Sequence, residues 1–155
     1  MGRITGSWLS GPQAALGENG EVGSYRGEKL GLPESGPNSL ASSWHRCLGL
    51  LADWLMSGGV TLIFVRDLES PILSNVVLLV WFVVGVGSVT AFGFTPGQFL
   101  TGMRVARVDG GVRVGFVRAF VRQILIVFLV PPLINDYDGR GMHDRATGTA
   151  LIRTR

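Results

Sequence analysis

From Ile72 to Phe94 the chain runs 23 residues without a charge, including the stretch VVLLVWFVVGVGSV. As a helix rising about 1.5 Å per residue, such a run crosses a hydrocarbon layer of about 30 Å with some tilt. It predicts a transmembrane helix, and composition agrees. Charged residues make up 16% of the 155, against about 25% in an average soluble protein. The mean hydropathy is +0.36, and the apolar residues are gathered in blocks. The length suits one domain with some tail.

A second block precedes it. Cys47 to Val65 is 19 residues with Asp53 as its only charge, again about the span of a bilayer core. Pro71 opens the segment that follows the short connector RDLESP. Before these blocks, residues 1–38 are rich in Gly, Ser, Pro and Glu, a composition with too few large apolar side chains for a core, and they read as a flexible tail. That tail shows no apolar stretch of export-signal length, and Gly6 stands where a myristoylation motif wants Ser or Thr. Ser39 is placed to cap the first long helix.

After the second span, TPGQFLTG reads as a short amphipathic helix, with Thr95 as cap and Pro96 at the first helical position. MRVARVDGGVRVG then alternates apolar and basic residues around DGG, a pattern that predicts a small β-hairpin at the membrane surface. The last apolar block, about 117–134, has Arg118 and Arg122 near its start and Pro131 and Pro132 near its end. Its charge-free part, Gln123 to Ile134, is 12 residues, about 18 Å of helix. A full span requires both arginines to snorkel toward the interface. A tilted span with an unwound end and a re-entrant segment both fit.

Charge asymmetry sets the orientation. The connector 66–71 has one basic residue, whereas 94–122 has five: Arg104, Arg107, Arg113, Arg118 and Arg122. Positive-inside reasoning puts the hairpin and the N-terminus in the cytoplasm. Four more arginines follow Ile134; they too favour the cytoplasm, which a third full span would deny them, so the re-entrant geometry is preferred. The net charge of +3 flanks apolar segments without a nucleic-acid motif, so no nucleic-acid partner is expected.

Arg46 and Asp53 are seven apart, on one helix face about 10 Å from each other along the axis, too far for the usual i, i+4 pair. An intramembrane carboxylate seeks a charge partner, the protein interior or an ion path. The stretch NDYDGRGMHDRATGT, 135–149, carries the densest set of ionisable groups. Folded back under the helices, it offers Asp144 to Arg46, and a C-terminal arginine or polar backbone to Asp53.

Arg46, Asp53 and Asp144, together with FTPGQFLTGMRVARVDGG, RAFVRQ and GRGMHDRATGT, resemble the RDD family of bacterial membrane proteins, named for one arginine and two aspartates. The likeness covers about 39–151, within a membrane domain of about 39–152. It implies that Arg46 is the family arginine and Asp53 and Asp144 the two aspartates. Gln98 departs from relatives that have a basic residue after TPG, which weakens a lipid-phosphate contact there. The resemblance also implies a location in the bacterial cell membrane, and a transport role, including cation/proton exchange, has been suggested for the family.

Each candidate has a plainer reading. Asp53 is a proton- or cation-handling carboxylate or, with more weight, part of a structural ion pair or helix–helix hydrogen bond. Arg46 is a substrate clamp or, again with more weight, a helix-end anchor paired with Asp144. His143 is a proton relay or an interface histidine, the latter favoured. Cys47 reads as a packed small residue, and GVGSV at 85–89 as a packing surface. No metal site, cofactor motif or catalytic triad is recognisable, and no enzyme is expected.

The expectation is therefore an all-α multi-pass membrane protein: three hydrophobic helical segments, the third spanning or re-entrant, with a small cytoplasmic β-hairpin. Arg46, Asp53, His143 and Asp144 are its candidate substrate-binding residues. Two functions fit: a component of a cation/proton or small-solute transporter, or a non-transporting accessory or scaffold subunit of a larger membrane complex. With so few spans, a homo-oligomer or another membrane protein is the expected partner beside the lipid bilayer.

Overall fold

Ser42 starts the first long helix: its Oγ accepts the His45 N–H at 3.4 Å, meeting one of the orphan donors of the first turn. The computed structural model describes residues 24–128 and 139–155. Helix α1, Ser43–Phe64, then continues for 22 residues. The expected cap, Ser39, instead donates its hydroxyl to Gly36 O at 2.5 Å. The physical reason lies in the segment 38–41, which is held extended: Ala41 N–H donates to Leu151 O at 2.8 Å and Asn38 N–H to Arg153 O at 2.8 Å. Helix geometry begins only past that tether.

Helix α2, Leu73–Phe92, ends at Gly93, whose φ of 79° closes the helix with its N–H on Val89 O, the left-handed stop that glycine makes without a Cβ penalty. The short helix α3, Pro96–Leu100, follows as expected, opened by a full capping box between Thr95 and Gln98.

Strand β1, Met103–Arg107, pairs antiparallel with β2, Thr149–Arg153, in a two-stranded sheet with Val105 opposite Leu151. The expected hairpin around DGG is thus corrected: a turn forms there, with Gly110 at φ 77°, but residues 112–114 form no strand. β2 lies beside β1 with Ala150, Leu151 and Ile152 all buried, whereas in the expected partner segment Val112 is fully exposed and Val114 joins the core outside any strand. A bridge from Leu40 to Ile152 adds the entry strand of α1 to the far side of β2, so both ends of the membrane domain are stitched at one sheet.

Helix α4, Phe116–Val127, packs on α2, with Phe120 edge-on to Phe82 at 5.5 Å between ring centroids. Helix α5, Met142–Ala146, leads into β2. Of the three expected hydrophobic helices, α1 and α2 are long and apolar enough to cross a membrane, while α4 has 12 residues. The choice between a spanning and a re-entrant third segment falls on 129–138, outside the described residues. So do residues 1–23 of the expected tail; within 24–38 the chain makes a 3-10 turn, Glu28–Leu30, between Gly27 and Gly31.

The helices are inside-out relative to a soluble protein. The buried positions of α1 are Arg46, Gly49, Asp53, Ser57 and Thr61, while Leu51, Leu55, Ile63 and Phe64 face outward. On α4 the buried set is Ala119, Arg122, Gln123 and Ile126, with Phe116, Val117 and Phe128 outside. Apolar exposure on this scale suits lipid rather than water, and the molecule is a membrane protein.

Candidate functional site

Asp144 is the centre of the polar interior. α5 delivers it fully buried, and α4 brings Arg122, whose Nε donates to Asp144 Oδ1 at 2.9 Å. His143 Nε2 lies 3.3 Å from the same oxygen, and the Thr149 hydroxyl donates to it at 3.2 Å. From α1, Arg46 Nη1 stands 4.0 Å from Asp144 Oδ2, while Arg46 Nε donates to Ala41 O at 3.1 Å. Burial alone disfavours a charged Asp144, but Arg122, His143 and Arg46 outweigh it and hold the carboxyl well below the usual carboxylate range.

Asp53 belongs to a different joint. Its Oδ2 accepts the Thr95 hydroxyl at 2.5 Å and its Oδ1 accepts the Gly97 N–H at 2.7 Å. An α1 carboxylate thereby fastens the start of α3, where free backbone donors and the positive end of the helix both favour an anion. Close contact needs Gly97, since a Cβ there would stand 2.8 Å from Asp53 Cγ. Below Asp53 the same face of α1 stays polar: Ser57 Oγ donates to Asp53 O at 2.8 Å and Thr61 Oγ1 to Ser57 O at 2.8 Å.

Two cavities flank this face. One, of about 50 Å³, lies among Arg46, Asp53, Gln98, Arg122, Gln123 and His143. The other, of about 240 Å³, runs on past Ser57, Val60 and Val80. Asp53, Trp81 and Thr95 border both. The larger one is mostly apolar and lies between α1 and α2. Trp81 is held there by stacking on Trp54 at 5.4 Å.

Of the four residues singled out from sequence, the structure brings Arg46, His143 and Asp144 together and places Asp53 on the first cavity beside Arg46 and His143. The single Arg46–Asp53–Asp144 network is therefore two hydrogen-bonded groups facing one space. Asp53 was expected to meet an arginine or polar backbone of the C-terminal stretch; its partners are instead the Thr95 hydroxyl and the Gly97 N–H at the start of α3. Arg122, which a full third span would require to snorkel toward the interface, is instead 2% exposed and makes the shortest ion pair to Asp144. Only Arg118 fits the surface reading, 3.2 Å from Asp109. Cys47, expected to be packed, is exposed. Gln98 and Gln123 also went unnoticed as site residues. For Gln123 the available signal was periodic: Ala119, Arg122, Gln123 and Ile126 share one face of α4, opposite the exposed Val117 and Val121.

The model of the RDD family matches residues 40–148 of this chain. That interval holds α1 to α5 and the whole of both hydrogen-bonded groups except Thr149. No curated protein matches the chain, and neither does any solved structure.

Proposed function

This chain belongs to the RDD family, and from that premise we propose that it is a component of a membrane transporter for a small cation, a proton or a small polar solute. The observation that carries the proposal is the continuity of the α1 face. Arg46, Asp53, Ser57 and Thr61 are all buried on it, and two cavities meet at Asp53. Ionisable side chains within a membrane are costly and face the protein interior, a charge partner or an ion path, and Arg46 and Asp53 lie on this one face. Asp53 borders both cavities, with Arg46 and His143 on the smaller one and Asp144 beside them.

The two helices long enough to span among the described residues do not enclose an aqueous path, so the proposal includes a partner: a second copy of the chain or another membrane protein. It also places the protein as multi-pass in the bacterial cell membrane, with the N-terminus and 94–122 in the cytoplasm, supported by the arginine distribution. No chemical catalysis and no nucleic acid enter this reading.

The test is flux. In purified protein reconstituted into vesicles, imposed ion gradients are expected to drive pH changes above those of empty vesicles. Asp53→Asn, which keeps an acceptor for Gly97 N–H, is expected to remain folded and fall to the empty-vesicle level. A folded Asp53→Asn with undiminished flux overturns the role given to Asp53. In the same preparation, a cysteine placed at position 155 with Cys47→Ser is expected to label only from the cytoplasmic side.

One observation favours a second reading, the accessory or scaffold subunit. Both Asp53 oxygens and Asp144 Oδ1 are already engaged within the chain, as in a purely structural lock. Absence of flux in wild type, together with a stoichiometric partner that survives purification, would support it.

A further inference from the structure

Arg122 has three guanidinium nitrogens, and the fold uses two. Nε donates to Asp144 Oδ1 at 2.9 Å and Nη2 lies 3.4 Å from His143 Nε2. Nη1 is buried with no hydrogen-bond partner. An arginine does not escape this by losing its proton, and a buried charged donor without an acceptor is costly. The side chain is 2% exposed and borders the cavity of about 50 Å³.

The rest of that wall carries further donors. Arg46 contributes a second guanidinium, and Asp144 lies between the two arginines, 2.9 Å from Arg122 and 4.0 Å from Arg46. Gln98 gives its Oε1 to the Thr95 N–H at 3.1 Å, so the NH2 end of that amide is the end not engaged there. Asp53 also borders the cavity, but its two oxygens are turned to Thr95 and Gly97 at 2.5 and 2.7 Å.

We propose that this cavity is a binding site for a small inorganic anion of the halide class, with Arg122 Nη1 as its principal donor. Size supports that class. A water needs roughly 10–15 Å³ of such volume, so the space takes one halide and a water or two, and excludes an organic solute or a lipid headgroup. Charge-assisted donation from a guanidinium to an anion is among the stronger hydrogen bonds. The site stands whether or not the chain transports anything, and its test reads binding instead of flux.

Purified protein in detergent is melted in chloride and, at equal ionic strength, in gluconate, which is too large for the cavity; chloride-35 NMR linewidths are measured on the same samples. Wild type is expected to melt about 3–6 °C higher in chloride near tenfold saturation and to broaden the chloride line, with bromide competing the broadening away. Arg122→Gln is expected to lose both signals. Because that variant also breaks the pair with Asp144, Leu50→Phe serves beside it, filling the cavity while leaving the pair intact; it too is expected to lose both. Equal melting of wild type in the two salts with no line broadening overturns the proposal in favour of water alone. Retention of the chloride signals by folded Leu50→Phe overturns it as well, because the ion then sits elsewhere.

Discussion

Asp144→Asn is expected to destabilise the protein by about 3–5 kcal/mol, the range found when one partner of a buried ion pair is removed. The substitution leaves the shape nearly unchanged and removes the carboxylate that faces Arg122 at 2.9 Å, His143 at 3.3 Å and Arg46 at 4.0 Å. Three cationic or protonatable groups then face one another in a fully buried space, where water does not screen them. The exposed pair of Arg118 and Asp109, at 3.2 Å, offers the contrast: Asp109→Asn is expected to change stability far less, since exposed pairs are screened by solvent.

The same variant predicts a pH signature. Asp144 has its carboxyl held below the usual range in the folded protein, and about 3.9 is the unfolded value. Its contribution is therefore complete above about pH 4 and is lost as pH falls through the folded value. Wild-type unfolding followed in detergent is expected to show a falling acid limb below about pH 4, and Asp144→Asn to start lower and flatten that limb. An Asp144→Asn protein as stable as wild type at neutral pH would mean that the pair does not hold the fold.

The two spans were legible from the chain because each is a run without charges, and lipid selects for that property directly. Thr95, Pro96 and Gln98 announced α3 because capping is local chemistry, confined to four neighbouring residues. The sheet was not legible: β1 and β2 are separated by more than forty residues, and only alternation near DGG was visible, which suggested the nearer partner. Arg122 failed for a related reason. A cation near a helix start is read as surface-seeking until its acid is known, and Asp144 lies 22 residues further along the chain. Arg46 and Asp144 were paired correctly because the ionic cluster at 135–149 had few other places to go. Asp53 was understood as a buried acid in want of partners, but partners drawn from backbone, such as Gly97 N–H, leave no mark in side-chain composition.

The Asp53–α3 joint carries the second large expected effect: Gly97→Ala is expected to cost about 3 kcal/mol, at the upper end of the usual range for overpacking. A Cβ at this position would overlap Gly49 O and approach Asp53 N to 2.9 Å. Both are backbone atoms in the interior of α1, so neither yields by a rotamer change, and the strain passes to the hydrogen bonds that fasten α3. Separation of the two helices would also take Gly97 N–H from Asp53 and leave a buried carboxylate short of a donor. Gly58, on the same helix, is the control. Nothing lies within 4 Å of a Cβ built there, so Gly58→Ala is expected to be neutral or to add up to about 1 kcal/mol through helix propensity. Denaturant titration of the two variants in one detergent measures the difference. A Gly97→Ala protein that matches Gly58→Ala would show that α1 and α3 are not in fixed contact, and Asp53 would then be free to serve the path without first fastening a helix.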